Sequence, residues 1–354
     1  MQVFKKNFIV LFALAFLLGA SFVSSVVAKT NDAVKVSLNF EKNVYGYEES
    51  VPVNVSITNQ SKAGVKILRW LTPFDGVKED LFVVTLDGKP VEYIGAHYKR
   101  AAPTEKDYIT IRPGETFEAT VDLAGYYDLS KTGFYQVNYE VEAANIFSYQ
   151  NNLLDQTEEL RSSVAQAYIE AHEAAPILDM PDAVSGSTTF TGCSTSRQSS
   201  LVTARNNAST YALNSFNYLN AGTRGARYTT WFGTYTSSRY STVRSHFSNI
   251  RSAMDTASVR FNCTCTDSAY AYVYPTQPYT IYLCNAFWSA PSTGTDSKAG
   301  TLVHEMSHFN VVAGTDDWAY GQTAAKNLAR SNPARAVDNA DSHEYFAENT
   351  PAQQ

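Results

Sequence analysis

Alternating hydrophobic and polar positions dominate the first part of the chain. Residues 33–145 contain short β-branched and aromatic runs with the two-residue period of a strand that has one buried face. Asp87 and Gly88 separate two such runs, as expected for a tight hairpin turn. Many short strands with regular turns predict an all-β, sandwich-like region. The predicted strands are VKVSLNF, VPVNVSIT, LFVVTL, YITIRP, FEATVDL and FYQVNYEVEA.

Two segments that follow are less regular. Residues 160–171 (LRSSVAQAYIEA) fit either a last strand or a helix, and we interpret them as a strand. Residues 176–188 carry Pro, Gly, Ser and Asp and are typical of an exposed linker. The pattern therefore predicts a β-rich region over residues 29–175, a linker over 176–188 and a second domain over 189–354.

The second domain has the pattern of an α+β fold. Its Ala- and Leu-rich stretches predict helices at residues 194–222, 241–257, 299–314 and 316–333. Residues 269–284 alternate as a β-hairpin would and end at a cysteine.

The first 28 residues have the features of a secretory signal peptide. Lys5 and Lys6 precede a short apolar run at residues 8–18, and small residues end at Ala28. The apolar run is too short to favour a membrane anchor, and no later segment could span a bilayer. We expect a secreted, extracellular product. A net charge of −6 gives no reason to expect nucleic acid or an anionic membrane as a partner.

All four cysteines lie in the second domain, at Cys193, Cys263, Cys265 and Cys284. An even number in an exported chain favours disulfides over the alternative, a cysteine metal site, because export oxidises thiols. Four cysteines allow three pairings, and a bond between Cys263 and Cys265 is disfavoured by their one-residue separation.

The segment HEMSH at residues 304–308 has the spacing of a zinc site on a helix. His304 and His308 lie on one helical face, and Glu305 stands beside them as a candidate general base. The alternative is an ordinary helix with two surface histidines.

Catalytic zinc usually takes three protein ligands and a water. No histidine lies between His308 and His343, and no glutamate between Glu305 and Glu344, so a third ligand near the motif would be Asp316 or Asp317. Gly314 could end the helix in a left-handed cap and return the chain to the metal.

HEMSH followed by GTDDWAYG resembles the signature of the aspzincin (deuterolysin) family of zinc endopeptidases. Further segments resemble its peptidyl-Lys metalloendopeptidase branch, and the resemblance covers roughly residues 189–354. These segments are TGCSTSRQSSL, RYTTWFGTY, FNCTCT, AYVYP, YLCNAFW, TGTDSKAGTLVHE and NADSHEYFAEN.

The resemblance implies a zincin-like catalytic domain with one Zn²⁺ held by His304, His308 and Asp317. It implies Glu305 as general base and Tyr320 as the hydroxyl donor to the oxyanion, and we place Tyr320 on the same helical face as Asp317. Thr315 would support the ligands through a hydrogen bond. The family pairing implies the disulfides Cys193–Cys263 and Cys265–Cys284.

Asp341 and Glu344 are three residues apart and share one face if helical. Such a pair is most often a solvated acidic face. Here the resemblance implies a pocket for a substrate lysine, whose ammonium is a compact charge with three donors.

We therefore expect a secreted zinc endopeptidase that cleaves proteins on the amino side of lysine. The β-rich region is expected to be a removable pro-region that inhibits it, with the mature enzyme starting near Thr189. Lys298 and Lys326 are the only lysines after that residue, which would limit self-digestion. No lysine lies between Lys131 and Lys298, so another protease or relaxed self-cleavage must cut the linker. Two alternatives remain: a deuterolysin-type protease of broad specificity, and an exported binding or adhesion protein with an inactive zinc site.

Overall fold

The computed structural model describes residues 29–30, 33–144, 146–147, 157–172 and 186–354. The predicted signal peptide and residues 176–185 of the predicted linker lie outside the described residues.

Among the described residues, most of the strands lie in the first half of the chain and the α-helices in the second. The strands are β1 (Lys29–Thr30), β2 (Val34–Phe40), β3 (Val44–Tyr45), β4 (Pro52–Asn59), β5 (Val65–Leu68), β6 (Phe82–Leu86), β7 (Lys89–Pro90), β8 (His97–Lys99), β9 (Tyr108–Ile111), β10 (Thr116–Asp122), β11 (Gly133–Ala144), β12 (Thr157–Arg161), β13 (Ala165–Ile169), β14 (Thr188–Thr191), β15 (Val259–Asn262), β16 (Ala271–Val273) and β17 (Thr280–Leu283). The helices are α1 (Thr195–Asn220), α2 (Ala226–Phe232), α3 (Ser237–Thr256), α4 (Asn285–Ser289), α5 (Lys298–His308), α6 (Gly321–Ser331), α7 (Pro333–Val337) and α8 (Ala340–Glu348).

The N-terminal region consists of β-sheets that share one core, so the predicted β-rich region is confirmed. The long strand β11 pairs with β6, β12 and β13 in one sheet, and β4 joins β2 to β10 in a second. Strand β4 alternates fully between buried and half-buried positions, which is the period read from the sequence. Apolar side chains of both sheets belong to the same buried cluster, as in a β-sandwich.

Local turn chemistry agrees with the sequence in this region. Asp87 and Gly88 both have positive φ, at 51° and 74°, and they connect β6 to β7 as a two-residue hairpin turn. Residues 160–171, which could have been a helix, contain the end of β12 and the whole of β13, so the strand interpretation is confirmed.

The C-terminal region is α+β, as predicted. Strands β14, β15, β17 and β16 form a sheet in that order, and a buried apolar cluster joins the sheet to α1, α3, α5 and α8. Thr188, the last residue of the predicted linker, already pairs with Val259 in this sheet.

The two regions share one sheet. Strand β8 of the N-terminal region pairs antiparallel with β16 and becomes the outermost strand of the C-terminal sheet. The sequence did not predict β8, nor the short helix α2. Within the described ranges, no helix has both the length and the apolar character needed to cross a membrane.

Candidate metal centre and active site

Helix α5 carries both motif histidines into the core. Its first turn is capped by the Ser297 hydroxyl, which accepts a hydrogen bond from the Gly300 amide at 2.9 Å. A side chain at Gly300 would collide with the Glu348 carboxylate, so glycine permits the close approach of α8. Both histidines and Glu305 have no exposed surface, which contradicts the alternative of an ordinary helix with surface histidines.

His304, His308 and Asp317 converge on one point. The two Nε2 atoms lie 3.1 Å apart, and each lies 3.4 Å from an Asp317 carboxylate oxygen. Ligands placed tetrahedrally at about 2.0–2.1 Å from zinc are separated by about 3.3–3.4 Å. Neither Asp317 oxygen has a hydrogen-bond partner within the described part of the chain. The residues present therefore fit a tetrahedral metal with one position left for water.

Neighbouring groups hold the two imidazoles in place. His308 Nδ1–H donates to the Thr315 carbonyl at 2.7 Å, which leaves Nε2 free to bind a metal. The Thr315 and Ser307 hydroxyls lie 2.6 Å apart and join the same turn to α5. His304 Nδ1 lies 3.0 Å from Asp341 Oδ1. Thr315 thus makes a hydrogen bond to one of the two imidazoles, through its backbone carbonyl.

The route from α5 to Asp317 differs from the prediction. Helix α5 ends at His308, so Gly314 does not cap it, although Gly314 has a φ of 58° in the turn that follows. Asp317 and Tyr320 do not share a helical face, because α6 starts only at Gly321. The physical reason is Asn339, whose side-chain oxygen accepts hydrogen bonds from the Trp318 and Ala319 amides and keeps this segment out of a helix.

Glu305 is placed as a general base would be. Its carboxylate is fully buried beside the metal donors, and burial raises the pKa of this carboxyl to about 7. The backbone amide of Lys99 acts in the opposite direction and lowers the pKa of this carboxyl. A carboxyl with a pKa near neutrality can both take and return a proton at neutral pH.

Tyr320 is buried against the N-terminal region. Its ring packs edge to face on Trp70 with a centroid distance of 5.7 Å. Burial raises the pKa of the Tyr320 phenol well above its usual range, and the nearby charge of Glu79 raises it further. The phenol is therefore a proton-bearing hydrogen-bond donor throughout the neutral range.

Asp341 and Glu344 share the inner face of α8 and have no exposed surface. The ammonium of Lys99 lies between them, 2.9 Å from Asp341 Oδ1 and 2.7 Å from Glu344 Oε2. Burial alone would lower the pKa of Lys99, but the charges of these two carboxylates raise it well above its usual range. The pair predicted from sequence thus forms a buried site that holds an ammonium ion beside the metal donors.

Two residues of β8 that sequence reasoning missed lie in this site, His97 and Lys99. The His97 ring stacks on His308 at 4.8 Å, and ligand atoms of His97, His308 and Asp317 all lie within 4.8 Å of one another. The segment AHYKR at residues 96–100 has no apolar alternation, so the sequence holds no signal that would have identified it.

Comparison with known proteins gives consistent similarities. A family profile described as lysine-specific metallo-endopeptidase, of the aspzincin type, matches residues 217–348. An extracellular protease of Aeromonas hydrophila is 43% identical over 319 residues, covering 88% of this chain and 91% of that protein. A peptidyl-Lys metalloendopeptidase of Pleurotus ostreatus is 58% identical over 166 residues, covering 46% of this chain and 98% of that protein. The solved structure of a zinc peptidase from Grifola frondosa is 56% identical, covers 46% of this chain and 100% of its own, and superposes with a TM-score of 0.45.

Proposed function

Because the chain belongs to the aspzincin family of metallo-endopeptidases, we propose that it is a secreted zinc enzyme, made as a proenzyme, that cleaves on the amino side of lysine. The observation that carries the lysine specificity is the buried pair Asp341 and Glu344, which holds an ammonium ion beside the metal donors. Membership in a peptidase family and the buried Glu305 argue against an adhesion protein with an inactive site.

Zinc is the metal that suits this donor set. Two imidazoles and one carboxylate, with room for water, are typical of catalytic zinc. A bound zinc ion would lower the pKa of its water and polarise the scissile carbonyl. His304, His308 and Asp317 would hold the ion, and Asp341 and the Thr315 carbonyl would keep the imidazoles oriented.

Glu305 and Tyr320 are assigned proton transfer and stabilisation of the oxyanion. Glu305 takes a proton from the attacking water and passes it to the leaving amine, a transfer that its raised pKa favours. Tyr320 carries its proton and is proposed to donate it in a hydrogen bond to the developing oxyanion.

Lysine fits the pocket better than other residues do. Two carboxylates that are out of contact with water need a cation, and an uncompensated buried charge is strongly unfavourable. Lysine reaches them with a four-carbon stem, whereas the wider planar guanidinium of arginine needs a different hydrogen-bonding geometry. Rings of Tyr345 and Tyr270, at 5.1 and 5.8 Å from the Lys99 ammonium, add favourable cation–π contacts.

Secretion and proenzyme synthesis have separate support. One relative is named an extracellular protease, and the first 28 residues have the signal-peptide pattern. The Pleurotus relative aligns over 166 residues that make up 98% of its length, the length of residues 189–354 of this chain. We propose that residues 29–188 are the pro-region and that they cover the active site until they are removed.

Paired peptides test this function. The mature enzyme is assayed on fluorescent peptides that differ only in the residue after the cut, with lysine, arginine or norleucine there. We expect fast cleavage of the lysine peptide alone, loss of activity with a chelator, and recovery with added zinc. Equal cleavage of all three peptides would instead support the broad-specificity alternative, and activity that survives metal removal would refute a zinc mechanism.

A further inference from the structure

Lys99 is a buried cation that the N-terminal region contributes to the catalytic region. Its side chain has no exposed surface, and its carboxylate partners lie 242 residues away in the sequence at Asp341 and 245 away at Glu344. Holding a lysine in a buried site costs free energy unless its partners are well placed. The burial of Lys99 between these carboxylates therefore points to a functional role for this side chain.

Strand β8 lies along the edge of the sheet formed by β14, β15, β17 and β16. Lys99 pairs with Ala271 and Tyr98 with Tyr272 in an antiparallel ladder along β16. The Lys99 carbonyl accepts a hydrogen bond from the Tyr270 amide at 2.9 Å. An extended peptide that adds to a sheet edge in this way gains main-chain hydrogen bonds and places alternate side chains in pockets.

The register of β8 places Lys99 next to both the lysine pocket and the proposed general base. The Lys99 side chain fills the pocket, and the Lys99 amide lies near enough to Glu305, the proposed general base, to lower the pKa of its carboxyl. In a substrate cut on the amino side of lysine, that amide nitrogen becomes the leaving amine. The Tyr98–Lys99 peptide bond thus lies beside the proposed general base, as the bond to be cut would in such a substrate.

Residues on either side fix this segment. The Arg100 guanidinium stacks over Trp70 at 5.0 Å and lies 3.6 Å from Asp267, an acidic residue of the catalytic region. Lys78 binds the same Asp267 at 2.8 Å. His97 lies on the other side of Lys99 and stacks on the ligand His308. These contacts hold β8 against the site from both ends.

We propose that Lys99 is an internal substrate mimic: its side chain occupies the lysine pocket and β8 blocks the cleft, which keeps the uncut protein latent. The inference rests on the proposed function, because a lysine can mimic the substrate only of a lysine-directed enzyme. It goes further by assigning latency to one residue and one strand.

Uncut full-length proteins that differ at one lysine test this role. Wild type, Lys99→Ala, Lys99→Met and the control Lys106→Ala are purified with a chelator to prevent cleavage, and mass spectrometry verifies that each chain is intact. Zinc is then restored, and the initial rate is measured on a peptide with one lysine and no large apolar residue. Lys106 is a suitable control because it is an exposed lysine of the same region.

A second aliquot of each protein is cut in the linker by a protease directed to apolar residues, which can act at Ile177, Leu178 or Met180. The rate after cutting reports how much catalytic domain is folded. The ratio of uncut to cut rates should rise by at least about tenfold in both Lys99 variants, because truncating one partner of a buried charge pair strongly weakens an interface. Lys106→Ala should keep the wild-type ratio.

The possible failures are distinguishable. Unchanged ratios in Lys99→Ala and Lys99→Met, with cut samples that cleave the lysine peptide, would overturn the role of Lys99. Cut wild type that does not prefer lysine would overturn the proposed function instead. If neither variant gives active protein after cutting, the role of Lys99 is tested instead by measuring its acetylation in the uncut wild type. An excess of a tripeptide with an N-terminal lysine should displace Lys99 and increase its acetylation, whereas a tripeptide with an N-terminal alanine should not. No increase in Lys99 acetylation with the lysine tripeptide would overturn the proposal.

Discussion

At the scale of single residues, the proposed mechanism assigns metal binding and proton transfer to different side chains. His304, His308 and Asp317 point ligand atoms at one another, whereas Glu305 follows His304 in the sequence and burial raises the pKa of its carboxyl. Mutation of a ligand and mutation of the base should therefore have different consequences.

Glu305→Gln should abolish most turnover without loss of zinc. We expect kcat to fall by about 100- to 10,000-fold, the usual contribution of general acid–base catalysis. His308→Ala should lose both activity and metal, because a ligand is removed. Kinetics together with zinc content of the mature enzyme check this pair, and a Glu305→Gln protein without zinc would show that Glu305 has a ligand role instead.

Asp341 and Glu344 should differ in what they contribute. Asp341 lies 3.0 Å from His304 Nδ1 as well as binding the ammonium, and Glu344 lies farther from that atom, at 3.4 Å. Asp341→Asn should weaken zinc affinity by about 10- to 100-fold, as other losses of a ligand's supporting carboxylate do. Glu344→Gln should chiefly raise KM for lysine peptides.

Competition with a zinc-binding dye and steady-state kinetics measure the two effects. Asp255→Asn, a change to an exposed residue on α3, serves as the control. Equal zinc affinity in Asp341→Asn and the control would contradict the dual role of Asp341.

At the scale of elements, sequence pattern predicts those whose burial follows hydrophobicity. Strand β4 and helix α3 were found because their apolar residues face the core. Strand β8 was missed because its two buried side chains are His97 and Lys99, and burial of polar groups leaves no hydrophobic period. The start of α6 was misplaced because a side chain distant in sequence, Asn339, satisfies the amides that a helix would otherwise use.

The two disulfides link elements of the C-terminal region, and their contributions to stability can be measured separately. The structure has the expected pairing, Cys193–Cys263 and Cys265–Cys284, with sequence separations of 70 and 19 residues. Loop-closure entropy assigns about 4 kcal/mol to the longer loop and about 3 kcal/mol to the shorter one. Replacing both cysteines of the first bridge with serine should therefore lower Tm more than the same change at the second.

Calorimetry of the two double-serine proteins checks this order. A larger loss of Tm at Cys265–Cys284 would show that the short bridge acts through local packing rather than through the entropy of the unfolded chain.

At the scale of the whole molecule, the two regions meet at the candidate active site, where Lys99 and His97 contact residues of the C-terminal region. The sequence located His304, Glu305 and His308 through spacing alone, and family resemblance added Asp317, Tyr320, Asp341 and Glu344. Neither the spacing nor the resemblance could locate Lys99, because the ion pair between Lys99 and Asp341, 242 residues apart, forms only in the assembled fold. The catalytic half was thus largely predictable, and the way in which the N-terminal half covers it was not.

The most direct test of lysine-directed zinc proteolysis is a digest of an unstructured protein by the mature enzyme, analysed by mass spectrometry with and without chelator. The buried carboxylates of Asp341 and Glu344 predict that most new peptides begin with lysine, and that chelator prevents their formation. Cleavage mainly before arginine or large apolar residues, or an unchanged digest with chelator present, would contradict the account.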